Sequence, residues 1–221
     1  KMGYRMFGEL IEDVQHAKGG VESEIEPEDA PFEVLSKLGE QYHGFIDAVV
    51  KSNAGDNFDA AARYINRAST VVCYGYLNSH ILAEYLGDSL VELGVQAISV
   101  DDFVQAKRRI LMLDPTRDVV IVISKSGEKA EPVGIAEYAQ SLHIPVISIS
   151  DAAGNSLSKK SDIHLKILED DNRSTPAPAM GTFAGVLFAL DALTMCIFQL
   201  DRKRYQKSYG ESLVAAFSAR R

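Results

Sequence analysis

The chemistry in this sequence concentrates in one short segment, Ser124-Lys125-Ser126-Gly127-Glu128-Lys129-Ala130-Glu131, followed by Pro132. Two hydroxyls one residue apart, a glycine that lets the backbone turn tightly and two lysines combine hydrogen-bond donors with positive charge, as a phosphate monoester needs. Pro132 fits the first turn of a following helix, so the segment sits ahead of a helix N-terminus, where unpaired N–H groups and partial positive charge favour anions. A second segment, Gly75-Tyr76-Leu77-Asn78-Ser79, offers Asn78 or Ser79 both as an N-cap and as an amide or hydroxyl donor to an anion. Each segment also fits a plainer role, a solvated turn between strand and helix and a simple helix cap. The choice therefore depends on where the fold places them.

Short apolar runs alternate with helical patterns through the middle of the chain. The runs are Thr70–Tyr74, Val95–Val100, Val119–Ile123, Val146–Ile149 and Ile163–Ile167. Between them the spacing predicts helices over Ser79–Leu93, closed by Gly94, over Asp102–Leu113 and over Pro132–Leu142, with a short one near Asn155–Lys160. Five such runs predict a five-stranded parallel sheet buried on both faces, an α/β protein built as a three-layer α/β/α sandwich. In that architecture ligands bind at the carboxyl ends of the strands, where both segments fall. Two amphipathic helices precede the sheet, near Phe32–Val50 and Phe58–Ala68. A long apolar helix, near Gly181–Leu200, and an amphipathic segment, Tyr205–Phe217, follow it.

Residues 1–18 read as a helix stopped by Gly19-Gly20. Val21–Glu33 then carries six acidic residues and two prolines with no basic residue, which reads as a solvated linker. The expected organisation is a remnant and linker over residues 1–30 and one domain over 31–221. The chain begins at Lys1 rather than methionine, which predicts a piece cut from something longer. A formal net charge of −8 argues against nucleic-acid binding by this stretch itself, because phosphate neutralisation needs clustered Lys and Arg. Cys73 and Cys196 sit in apolar runs without metal-ligand spacing, so reduced buried thiols are expected, with no metal and no cofactor. The opening residues lack the pattern of a secretory leader, and a cytoplasmic protein is expected. Phe183–Leu200 approaches the ~20 apolar residues of a membrane span, but Asp191 near its centre is expensive in lipid, so a buried core or interface helix is expected and no membrane partner.

The order of these pieces resembles the SIS (sugar isomerase) domain, in which a GxGxS turn after the first strand and an SxSGET turn after the third grip a sugar phosphate. Ile147-Ser148-Ile149-Ser150-Asp151, Asn155-Ser156-Leu157-Ser158 and Ser161-Asp162-Ile163-His164-Leu165 resemble that family's fourth strand, NSPLA-like turn and fifth strand, and the match runs in order over residues 56–200. The resemblance implies flavodoxin-like strand order, with Ser79, Ser124, Ser126 and Lys129 ringing the phosphate, Lys125 and Gly127 giving backbone contacts, and Asn78 and Glu128 also among the ligand-binding residues. Two positions depart from the pattern: Leu77 stands where a second glycine is usual, and Lys129 where a threonine is.

Lys1–Leu10 resembles the end of the helix-turn-helix head of RpiR-type sugar regulators, where a KLGF-like turn leads into an F-x-E-L segment. This resemblance implies a phosphosugar-sensing domain that works as a homodimer or homotetramer and reaches DNA only through a head that is mostly missing here. Two other readings stay open. An aldose-ketose isomerase needs a base and a ring-opening acid, for which Glu128, Glu169 and His80 are undistinguished candidates and His164 fits better as a packed strand residue. A ligand-free SIS oligomerisation module is the third.

Overall fold

Valine and isoleucine dominate the three central strands, and all three are buried along nearly their whole length. β1 (Thr70–Gly75), β3 (Asp118–Ile123) and β4 (Val146–Ser150) form the middle of a five-stranded sheet, with β2 (Ala97–Val100) and β5 (Ile163–Lys166) at its edges. The strand order is β2-β1-β3-β4-β5 and every pair is parallel. This is the α/β sandwich expected from the alternation of runs. The computed structural model describes residues 25–151, 154–167 and 180–218.

Helices α1 (Pro31–Ser52) and α2 (Asn57–Arg67) precede the sheet. α3 (Asn78–Glu92), α4 (Phe103–Ile110) and α5 (Ala130–Ser141) connect its strands, and α6 (Met180–Leu200) and α7 (Arg202–Ser218) follow it. A single 3₁₀ turn, Ser158–Lys160, stands where the sequence predicts a short helix from Asn155. The chain divides into two compact units, residues 1–41 and 42–221. In the first, the Asp29 carboxylate pairs with Lys37 at 2.7 Å. In the second, one apolar layer joins Val71, Cys73, Ile121 and Ile149 to α2, α3 and α6, and the other joins Val72, Tyr74, Val120 and Val122 to α4 and α5. Alternate residues of each strand feed opposite layers, which is why the runs read as continuous rather than alternating.

An edge strand exposes unpaired backbone groups unless something covers them. On β5 the Asn53 amide does this: its Nδ2 donates to the Lys166 carbonyl at 2.6 Å and its Oδ1 accepts from the Lys166 N–H at 3.0 Å. Asn57 donates to the His164 carbonyl at 3.0 Å. Cys73 is wholly buried and its thiol is pushed up to about 12 by desolvation, so it behaves as an inert apolar group.

α6 buries Val186, Ala189, Leu190, Leu193 and Ile197 and leaves Phe183, Asp191 and Met195 exposed. By length and composition its stretch Phe183–Leu200 is apolar enough to cross a membrane, and a third of that stretch is buried within the domain. Its one charge is engaged, since Asp191 accepts a hydrogen bond from the Tyr85 hydroxyl at 2.6 Å.

Candidate functional site

Strand register brings the two chemistry-bearing loops together. Gly75 pairs with Ile123 and Ile123 with Ile149, so the chain leaves β1, β3 and β4 side by side at their carboxyl ends. Ser79, Ser124, Ser126 and Lys129 thus share one end of the sheet, together with Asn78, Lys125, Gly127 and Glu128.

The β3 loop has the form of an anion cradle. Ser124 is 2% exposed; its N–H donates to the Ile149 carbonyl at 3.0 Å, and its hydroxyl makes no hydrogen bond among the described residues. Gly127 adopts φ +66, a conformation that turns the chain back toward α5. The N–H groups of Lys125, Ser126 and Gly127 donate to no acceptor among the described residues, while their neighbours are committed. Successive free amides ahead of a helix N-terminus suit a phosphate or carboxylate. Lys129, the N-cap of α5, makes no side-chain cap.

A second layer of contacts fixes the loop. The Asp151 N–H donates to the Lys125 carbonyl at 2.7 Å and the Leu157 N–H to the Gly127 carbonyl at 2.9 Å. Asn155 lies against Gly127, so closely that a Cβ there would overlap its amide. Glu128 accepts from the Ser156 N–H at 3.0 Å and from the Ser156 hydroxyl at 2.5 Å. Those bonds hold the Glu128 carboxyl below its ordinary range. Glu128 thus has a structural partner within the chain. Sequence reasoning misses both the Asn155 contact and this pairing, although both partners lie in the NSPLA-like turn.

The β1 loop departs from expectation at its cap. Neither Asn78 nor Ser79 caps α3; they are its first residues, and Leu77 stands at the N-cap without a side-chain bond. The cause is the tight exit from β1, where Gly75 lies directly under the Ser79 carbonyl and the Ser79 and His80 N–H groups reach back to Tyr76 and Leu77. Leu77 takes φ 54 and ψ −125, a glycine-like conformation, with its side chain 62% exposed. Holding an L-residue there costs about 1–3 kcal/mol. Leu77→Gly is therefore expected to raise stability by about 1 kcal/mol after glycine's extra unfolded-state freedom is subtracted, a rise of roughly 2–4 °C in melting temperature, measurable by thermal denaturation.

Lys129 reaches across the two loops. Its Nζ stands 5.6 Å from the centre of the Tyr76 ring, within cation–π range. The lysine at the threonine position thus keeps a positive charge at the mouth of the site and rests it on the other loop. A cleft of ≈ 330 Å³ lined by Tyr64, Arg67, Thr116, Arg117 and Pro145 lies at the opposite, amino ends of the strands and takes no part in this arrangement. No group of His, Cys, Asp and Glu able to hold a metal occurs among the described residues.

The parallel sheet and the two loops at its carboxyl end define an α/β domain whose candidate site lies where β1, β3 and β4 end. The SIS domain family model matches residues 64–196, more than half of the chain, and the chain belongs to that family. Among curated proteins, it is 27% identical over 142 residues to arabinose 5-phosphate isomerase KdsD of Salmonella typhi, covering 63% of this chain and 43% of that protein. It is 26% identical over 151 residues to KdsD of Escherichia coli K12, covering 62% and 45%. The chain spans less than half the length of these relatives. Among solved structures, Vibrio vulnificus NanR complexed with ManNAc-6P superposes with a TM-score of 0.77 at 19% identity, covering 96% of this chain and 74% of that one. The sugar isomerase domain of an RpiR transcription factor from Sphaerobacter thermophilus gives 0.68 at 19% identity, covering 82% and 97%. An E. coli CFT073 protein, solved as a complex with its ligand, gives 0.68 at 23%, covering 82% and 96%. These likenesses establish the fold.

Proposed function

We propose that this chain is the phosphosugar-sensing part of an RpiR-type transcriptional regulator, with residues 1–30 as the remnant of its DNA-binding head and linker and residues 31–221 as the sensor. The sugar phosphate sits with its phosphate on the Lys125, Ser126 and Gly127 amides, the Ser79, Ser124 and Ser126 hydroxyls and the Lys129 charge. The observation that carries the choice of sensor over enzyme is Glu128. A general base works best with a pKa near the operating pH, and this carboxylate is tied to Ser156 and held below its ordinary range. The head-like segment Lys1–Leu10 supports the same reading; it lies outside the described residues.

A regulator of this kind acts in the cytoplasm as a homodimer or homotetramer. Ligand binding favours one subunit arrangement, and that arrangement sets how the heads meet DNA. The apolar helix α6, of whose apolar stretch a third is buried, supports an oligomer through its uncovered face. A second reading, a phosphosugar isomerase, is favoured by the sequence similarity to KdsD. Its base would be a residue other than Glu128. Glu169, one sequence-level candidate, lies outside the described residues, and His80 carries a buried Nδ1 with no hydrogen-bond partner.

A thermal-shift panel containing ManNAc-6P, arabinose 5-phosphate and hexose phosphates, with product analysis, tests the proposal. At a hundredfold excess over Kd a sensor is stabilised by about 2.7 kcal/mol, a shift of roughly 5–10 °C. The shift should vanish in Ser124→Ala with the sugar recovered unchanged. Aldose-ketose conversion would make the chain an isomerase, and no shift with any sugar would leave an oligomerisation module.

A further inference from the structure

Among the described residues the side chains of the anion loop make no hydrogen bond to the sheet; its support comes from Asp151 and residues 154–160. That support meets the sheet where Asn155 donates to the Ser150 hydroxyl, where Leu157 is buried in the core, and at His164. β4 and β5 pair in register with Ser148 opposite His164, and the half-buried His164 ring reaches two groups at once. Its Nδ1 is 3.0 Å from the Ser148 Oγ and its Nε2 is 3.2 Å from the Asp151 carbonyl oxygen. A carbonyl only accepts, so Nε2 carries the proton, and in the neutral ring Nδ1 then accepts from the Ser148 hydroxyl. Burial holds His164 below its ordinary range, which keeps that neutral form in place at pH 7.

We propose that His164 is a positioning residue for the anion-binding loop, acting through the Asp151 backbone. That residue is the junction, with its N–H and its carbonyl in the two successive peptide groups that flank its Cα. Its carbonyl accepts from His164 and from Asn155 Nδ2 at 3.2 Å, and its N–H donates to the Lys125 carbonyl. Asn155 in turn backs Gly127, accepts from the Ser158 N–H at 2.7 Å and donates to the Ser150 hydroxyl at 2.9 Å. Moving the Asp151 carbonyl therefore shifts both the residue that turns the loop and the carbonyl that ends its first free amide pair. A residue two strands from the ligand thus sets the direction of the Lys125, Ser126 and Gly127 amides.

The inference rests on the phosphate-binding reading, and the experiment separates the two. In the full chain His164→Phe keeps the ring's bulk and removes both bonds, whereas His164→Gln keeps an N–H donor for the Asp151 carbonyl. Two quantities are read: calorimetric affinity for inorganic phosphate, and hydrogen exchange at the Asp151 and Leu157 amides relative to the amides of β1 and β3. His164→Phe should weaken phosphate by about tenfold or more and speed exchange at those two amides by a similar factor, with the strands unchanged and His164→Gln close to wild type. Equal behaviour of the two variants, or faster exchange spread evenly over the strands, would reduce His164 to packing and overturn the proposal. A wild-type chain that binds no phosphate overturns the phosphate reading instead, and the exchange pattern then decides the positioning role by itself.

Discussion

Gly127→Ala is expected to abolish anion binding and to lower stability by about 2–4 kcal/mol, the sum of two costs with separate origins. The first is conformational. Gly127 has φ +66, and an L-residue in that region is penalised by about 1–2 kcal/mol because its Cβ crowds the following carbonyl. The second is steric. The new methyl group would overlap Asn155 Cγ and Oδ1 and lie 2.6 Å from its Nδ2. Asn155 has little freedom to withdraw, since it bonds Ser150, Asp151 and the Ser158 N–H. Relief requires either breaking those bonds or swinging the loop, and the second route turns the Lys125 and Ser126 amides away from a common point. A melting temperature lower by roughly 5–15 °C, together with loss of any ligand-induced shift, is the expected result in thermal denaturation with and without phosphate. A variant that melts lower yet still binds would separate the loop's shape from its function.

The dependence of this loop on Asn155 marks the boundary of what the sequence discloses. The strands are legible because a sheet buried on both faces needs unbroken apolar runs, and Val119–Ile123 and Val146–Ile149 supply them almost residue for residue. β2 is shorter than its apolar run: Val95 and Gln96 precede the strand, which begins at Ala97. The candidate loop is legible from the company of Ser124, Ser126, Gly127 and Pro132, all of local origin. What sequence does not reveal depends on register. Ser148 meets His164, and Asn155 meets Gly127, only because β4 sits between β3 and β5 in one particular alignment. Residues so far apart along the chain carry no local mark of such a meeting. The failed expectation of an Asn78 or Ser79 cap has the same cause, since a rule of local preference gives way to the close approach of Gly75 to the Ser79 carbonyl.

Charge adds a functional consequence to that geometry. The chain carries a formal net charge of −8, and an anionic ligand approaches against that background. Lys125 and Lys129 are exposed at the loop, where positive charge has the shortest distance over which to act. Lys129 is held over Tyr76, so charge at the mouth is tied to both loops. On the proposed function, a ligand that drew Lys129 toward its phosphate would take that charge off the Tyr76 ring.

Gly75→Ala is the sharper test of whether the β1 loop must keep its present course. Its effect is purely steric, because Gly75 does not occupy the left-handed region. A Cβ there would overlap the Ser79 carbonyl oxygen and stand 2.5 Å from its carbon and 2.8 Å from the His80 nitrogen. These are backbone atoms, so no rotamer change relieves the clash; the first turn of α3 has to move as a body. That helix is anchored by Leu82, Ala83, Leu86 and Leu90, all buried in the core, and overpacking against so rigid a neighbour costs at least about 3 kcal/mol. The expected outcome is a melting temperature lower by at least roughly 6–12 °C and loss of phosphate binding, because Ser79 and the amides around it are displaced from the Ser124–Gly127 loop. Near-wild-type stability would mean that α3 can slide along the sheet, and the β1 loop would then be an adjustable wall of the site rather than a fixed one. The Leu77 backbone strain argues for the fixed wall: an adjustable loop would relax a leucine out of φ 54, and this one holds it there.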